Sequence, residues 1–184
     1  MRWFWKLFLH VLGWRTDVVF PHHHLKKYVV IIAPHTSNWD FFMGLAYRSL
    51  LHMTHTHYLA KKELFQPPFG FIFRWLGGTP VDRSNHHNVV DEVVKIFDQH
   101  KEFSLAIAPE GTRQRVDKLK TGFYFIARKA HVPIIMVGLD YKNKTVVISD
   151  ALYCTNDQGS DFNKIHFFYR PIEGKYPERS LGHL

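Results

Sequence analysis

The sequence predicts an α/β fold: one domain with a mixed, largely parallel sheet flanked by helices. Three observations lead there. Short apolar runs such as "YVVIIA" (28–33) and "SLAIAP" (104–109) lack polar alternation, as strands buried on both faces do. Segments with helical spacing of apolar residues lie between such runs, so strands and helices alternate. No repeat, low-complexity stretch or linker divides the 184 residues, 46% of them hydrophobic, which suffices for one core.

The elements follow in order. "MRWFWKLFLHVLGW" (1–14) is predicted helical, with Arg2, Lys6 and Gly13 near one side and Trp and aliphatic residues over the rest. It is shorter than the about 20 apolar residues a bilayer span needs. Charged residues inside it and the lack of a small-residue cleavage site argue against a signal peptide. Residues 1–20 are therefore expected to be an amphipathic membrane-interface segment, with terminal packing on the core as the alternative. Residues 21–184 form the main domain.

After the strand at 28–33, residues 38–53 read as a helix and "HYLA" (57–60) as a short strand. Residues 63–78 are aromatic-rich, broken by Pro67 and Pro68 and stopped by Gly77 and Gly78. "TPVDR" (79–83) is extended. Residues 84–100 are amphipathic, with Val89, Val90, Val93, Val94, Ile96 and Phe97 at helical spacing and Ser84 or Asn85 as N-cap. A strand at 104–109 precedes a helix at 122–130. Strands are expected at 132–141 and 145–149, and a late one at "KIHFFYR" (164–170).

Lys and Arg outnumber Asp and Glu by 24 to 16, so the surface suits anionic partners. No nucleic-acid motif accompanies that charge, and the cations are dispersed, so nucleic acid is not expected as a partner. Cys154 is the only cysteine, which excludes an intrachain disulfide and a Cys-based zinc site.

Two polar clusters follow buried strands: "PHTSNWD" (34–40) and "PEGTR" (109–113). Sites in open α/β sheets gather at the carboxyl ends of strands, so both clusters are expected to face one crevice. With His35 in the loop and the helix starting near Ser37, Asp40 falls in the first turn and can point back. It can then accept the Nδ1 proton of His35 and leave Nε2 as a general base. Ser37-x-x-Asp40 also has the form of a capping box, so a purely structural role is the competing reading. In the second cluster Arg113 can grip a phosphate and Gly111 permits close backbone approach. Arg83 in "VDR" is a second candidate guanidinium.

Taken together and in order, these blocks resemble the glycerolipid acyltransferase family, whose best-known members are lysophosphatidic acid acyltransferases. The first block, His-x4-Asp, reads "HTSNWD"; the second resembles "AKKELFQPPFGFIFRWLGGTPVDR"; the third is "PEGTR"; the fourth is similar to "LKTGFYFIARKAHVPIIMV". The four cover roughly residues 28 to 140. Pro34, Gln114 and Met136 stand where the family often has Asn, Ser and Pro.

The resemblance implies a glycerol-3-phosphate acyltransferase-like fold and transfer of an acyl group from acyl-CoA or acyl carrier protein to a lysophospholipid hydroxyl. The acceptor it favours is 1-acyl-glycerol-3-phosphate, with another lysolipid or an amino-acid lipid as alternative. His35 would be the base and Asp40 its orienter, with direct attack and no acyl-enzyme. Lys61, Arg83, Glu110, Gly111, Thr112 and Arg113 would bind substrate. No cofactor or metal is implied, and the location would be the cytoplasmic face of a membrane, peripheral or monotopic. The aromatics from Phe65 to Trp75 are expected to line an acyl groove, touch lipid, or pack in the core. The rival function is metal binding by the 14 histidines, with His52 and His55 on one helix face, though no carboxylate completes a motif.

Overall fold

The computed structural model describes residues 2–68, 70–81 and 89–184; the side chains of residues 60–62, 64 and 81 lie outside that description. Its order is α1 (Arg2–Val11), β1 (Lys27–Ala33), α2 (Trp39–Leu50), β2 (Thr56–Lys61), α3 (Gly70–Trp75), β3 (Gly78–Val81), α4 (Val89–Gln99), β4 (Phe103–Ile107), α5 (Gly122–Lys129), β5 (Ile134–Asp140), β6 (Thr145–Ile148) and α6 (Gln158–Tyr169). Among these residues the sheet has six strands, in the order β3-β2-β4-β1-β5-β6. All neighbours are parallel except β5 with β6. The mixed, largely parallel α/β architecture is the one the alternating pattern predicts.

Each face of the sheet carries its own core, because successive side chains of a strand point to opposite sides. Val29, Ile31 and Ala33 of β1 face Val93 and Phe97 of α4, Phe123 and Ile126 of α5, and Ile165 and Tyr169 of α6. Val30 and Tyr28 face the other way, toward Met43, Ala46 and Tyr47 of α2 and Leu9 of α1. Strand β1, central and covered twice, has the apolar continuity that marked it in the sequence.

The amino-terminal helix ends in a Schellman turn. Gly13 has φ +74 and donates its N–H to His10 O at 2.9 Å, while Trp14 N–H reaches Leu9 O at 2.8 Å. The turn sends Trp14 inward, where it joins Leu9 in the core shared with α2. Trp5 and Phe8 pack at the edge of the same core, while Trp3, Phe4, Leu7 and Val11 are exposed on the outer face. The inner face of the segment therefore packs on the core, the alternative reading of residues 1–20.

The expected strand at 164–170 is wrong: those residues belong to α6 and Arg170, its C-cap. Alternation would bury Ile165, Phe167 and Tyr169, but Phe167 is 80% exposed while Ile165 and Tyr169, four apart, are buried. That is helical spacing. The helix starts upstream, where the Asp157 carboxylate accepts the Ser160 N–H at 3.0 Å. The helix expected over 38–53 stops at Leu50, and His52 sits in the following turn with φ 56. For the helix expected at 84–100, residues 89–99 are helical, and the proposed caps Ser84 and Asn85 lie outside the described residues.

The cap at Asp157 provides a direct check of this assignment. Asp157→Ala should lower stability by about 0.5–2 kcal/mol. Urea unfolding measures it, and a value near zero would show that α6 does not depend on this cap.

Candidate active site

Strands β1 and β4 pair with Ile31 opposite Ile107, so β4 ends two residues before β1, and the loops that follow them emerge side by side. The crevice expected at their carboxyl ends exists. Its joint is Glu110, whose Oε1 accepts the backbone N–H of His35 at 2.7 Å. The carboxyl is 3% exposed, and among the described residues its Oε2 has no partner. Burial pushes the Glu110 carboxyl above its usual range, against the lowering effect of the His35 N–H. The sequence reading placed Glu110 among the substrate contacts; in the fold its carboxyl is turned to the His35 backbone and binds the two loops together.

Asp40 lies in the first turn of α2 and points back, as its spacing allows. Its Oδ2 accepts the N–H groups of Thr36 at 2.7 Å and Ser37 at 2.8 Å, and stands 3.2 Å from His35 Nδ1. The Ser37 hydroxyl in turn accepts the Trp39 N–H at 3.2 Å. The capping arrangement and the contact with His35 are therefore one structure, not alternatives. The same carboxylate satisfies the helix entrance and meets the imidazole. Among the described residues, Nε2 on the opposite edge of the ring has no partner, and His35 lines the cavity.

Three contacts around this pair escaped the sequence reading. Tyr141, just past the end of β5, donates its hydroxyl to Asp40 Oδ1 at 2.7 Å. The segment after α6 returns over the loop, and Tyr176 N–H donates to Thr36 Oγ1 at 3.2 Å. Gly174 fits there because a Cβ would come within 2.7 Å of Thr36 Cγ2. Lys120 lies across Gly111, where φ is +67 and a Cβ would meet the lysine side chain at 2.7 Å. No local motif marks Tyr141, Gly174 or Tyr176, which are distant in sequence from the groups they touch, whereas Lys120 lies at the start of the fourth block and near Gly111 in the chain.

The cavity has a volume of about 830 Å³, within the range of small-molecule sites. Its polar rim includes His35, Gly111, Thr112, Arg113 and Lys120. Its apolar lining lies on both sides of the sheet: Val89, Val90, Phe123 and Ile126 on the side of α4 and α5, and Gly44, Leu45, Val30, Ile32, Met53 and Leu139 on the side of α2. Gly44 keeps that wall low, with no heavy atom within 4 Å of where a Cβ would stand. None of the described residues from Phe65 to Trp75 lines it, so the expected groove lies elsewhere. Phe65 is buried instead, and Phe71 and Trp75 are 68% and 65% exposed.

Arg83 lies outside the described residues; Lys61 ends β2 with its backbone paired to Val81, its side chain outside the description. Thr112 and Arg113 are exposed at the rim. His52 and His55 do not share a helix, and His55 Nε2 instead lies 3.1 Å from Glu102 Oε2. Among the described residues no cluster of His, Cys, Asp and Glu has the grouping of a metal site.

Two loops at adjacent strand ends, a buried carboxylate against a histidine and an arginine at the same cavity define the class. The chain belongs to the acyltransferase family, whose model, described as Acyltransferase, matches residues 15–140. Within it the chain is similar to proteins named 1-acyl-sn-glycerol-3-phosphate acyltransferase. It is 32% identical to the Saccharomyces cerevisiae protein over 145 residues, covering 74% of this chain and 46% of the relative. It is 36% identical to the Escherichia coli protein over 115 residues, 59% of this chain and 45% of the relative. A third relative, from Limnanthes douglasii, is 33% identical over 61% of this chain and 41% of its own. The chain thus spans less than half the length of these relatives. The crystal structure of the 1-acyl-sn-glycerophosphate acyltransferase from Thermotoga maritima superposes with a TM-score of 0.61. That match covers 89% of this chain and 72% of the other at 19% identity, a likeness of fold.

The Glu110 carboxyl yields a pH test. Its proton is held to higher pH in the folded state than in the unfolded chain. Stability tied to that proton is therefore present at low pH and lost as pH rises from the ordinary Glu range through the raised folded value. Compared with Glu110→Gln, which cannot ionise, the native protein should lose about 1.4 kcal/mol for each pKa unit of elevation. Denaturant unfolding of both proteins across pH reads this, and a gap independent of pH contradicts it.

Proposed function

We propose that this chain is an O-acyltransferase that moves a fatty acyl group from a thioester, acyl-CoA or acyl carrier protein, to the free hydroxyl of 1-acyl-glycerol-3-phosphate. The observation that carries the reading is the contact of His35 Nδ1 with the buried Asp40 carboxylate at the mouth of the cavity. A carboxylate at Nδ1 holds the ring proton there and makes Nε2 the basic nitrogen. The acceptor hydroxyl loses its proton to Nε2 as its oxygen bonds to the thioester carbonyl carbon. The carbon–sulfur bond then breaks, and the departing thiolate takes the proton back from the imidazolium. The thioester is already activated, so no enzyme nucleophile and no resident cofactor is required.

Arg113 at the rim, with Arg83 from the second block, suits the acceptor's phosphate, since a guanidinium binds phosphate through two parallel hydrogen bonds. Lys120 stands with Arg113 on that rim. The apolar part of the cavity beside Gly44 suits the acyl chain. The names of the relatives support this acceptor over another lysolipid.

His35→Ala should lower kcat about 10²- to 10⁴-fold in a folded protein, the range removed with a general base. Asp40→Asn should also be severe, because it disturbs the tautomer. Purified protein assayed with lysolipids and acyl-CoAs decides it; near-normal turnover by folded His35→Ala excludes the mechanism.

The outer face of α1 supports attachment to a membrane surface. Trp3, Phe4, Leu7 and Val11 are exposed apolar residues on a helix that also exposes Arg2 and Lys6. Among the described residues no helix is long and apolar enough to cross a membrane. Trp3→Ser with Phe4→Ser and Leu7→Ser leaves the inner face of α1 intact. It should reduce sedimentation with anionic vesicles and activity on bilayer substrate, while sparing a short-chain soluble acceptor. Unchanged sedimentation would remove α1 as the anchor.

A further inference from the structure

We propose that Tyr141 is a positioning residue of the acyl-transfer reaction: its hydroxyl fixes the Asp40 carboxylate in the rotation that keeps His35 in its productive orientation. The inference rests on the acyl-transfer reading above and adds a residue that none of the four sequence blocks contains.

A carboxylate can turn about its bond to Cβ, and only some rotations bring Oδ2 to the imidazole. The two backbone N–H groups of Thr36 and Ser37 converge on Oδ2, the oxygen that faces His35 Nδ1. Without another contact Oδ1 would be a buried acceptor with no partner, and rotation would relieve it. The Tyr141 hydroxyl is what meets Oδ1, at 2.7 Å, on the side opposite the histidine. With both oxygens engaged, the carboxylate has one orientation.

The phenol itself is held from several directions. Its ring stands edge-to-face with Trp14, centroids 4.9 Å apart. Its backbone N–H donates to Glu173 O at 2.9 Å. The following turn is braced by Asp140, which accepts from Lys142 N–H at 3.1 Å and Asn143 N–H at 3.2 Å. That turn is fastened to the end of α1: Arg15 N–H donates to Lys144 O at 2.9 Å, and Lys144 Nζ donates to Leu12 O at 3.1 Å. Burial and the adjacent carboxylate push the phenol well above its usual range, so it remains a donor at any working pH.

Tyr141→Phe removes the hydroxyl and keeps the ring against Trp14. A hydrogen bond to a charged acceptor being lost, kcat should fall about ten- to a hundredfold, with both KM values within about twofold and the melting temperature lowered by several degrees but still above the assay temperature. A structural role alone would not produce that division. The second readout is NMR of isotope-labelled histidine, with His35 assigned from its absence in His35→Gln. In the parent its ring should show one tautomer, protonated at Nδ1, and in Tyr141→Phe its signals should move toward a mixture. Turnover within about twofold of the parent overturns the proposal. So does a kcat loss with unmoved His35 signals, because Tyr141 would then act apart from the pair. Should Tyr141→Phe not fold, a fluorotyrosine at position 141 keeps the bond and alters its strength; unmoved His35 signals there also overturn the proposal. If the parent acylates no lysolipid, the acyl-transfer reading fails by itself, and the NMR measurement still decides whether Tyr141 orients the pair.

Discussion

A carboxylate taken out of water must have its lone pairs met, and among the described residues Asp40 is the one that satisfies that demand most fully. It sits at the entrance of α2 with almost no exposure, and its donors come from two distant parts of the chain. Thr36 and Ser37 supply backbone N–H groups from the loop, His35 supplies a ring nitrogen, and Tyr141 supplies a hydroxyl from the far end of β5. Donors in these numbers compensate the desolvation of the charge. They also immobilise it, because moving Asp40 would strand several donors at once. The position of the histidine therefore follows from the electrostatics of its neighbour.

Glu110 secures the opposite side of the same loop. Its carboxyl ties the turn after β4 to the backbone of His35, at the cost of a buried oxygen without a described partner. Such an atom is costly, and it is tolerated here because the bond joins the two strand ends that form the crevice. The segment after α6 adds a third constraint through Thr36. The loop that carries His35 is thus held by its own helix, by the adjacent strand's turn and by the last part of the chain.

The amino-terminal helix connects this rigid centre to the outside. Its inner face is a core element, sealed by a Schellman turn that drives Trp14 between Tyr47 and Tyr141. Its outer face carries exposed aromatic and aliphatic groups beside cations. The protein's own core covers the inner face of this helix, and its outer face is left exposed. The same residues that hold α1 down also support the tyrosine that meets Asp40.

The sequence by itself determined what depends on short range. Continuous apolar runs marked β1 and β5 because strands covered on both faces have no polar side to show. The five-residue step from His35 to Asp40, and the five residues of "PEGTR", were legible because each is a local arrangement at a strand end. The late strand was misread because "KIHFFYR" is rich in aromatic residues that favour sheets, whereas burial of Ile165 and Tyr169 on one side selects a helix. The tertiary structure alone decided which distant groups meet those local motifs. Tyr141 is 101 residues from Asp40, and Glu110 is 75 from His35. No periodicity or spacing encodes such distances. They arise when parallel pairing sets β1 between β4 and β5 with their carboxyl ends on one side of the sheet, and the demand of buried polar atoms for partners selects what stands opposite them.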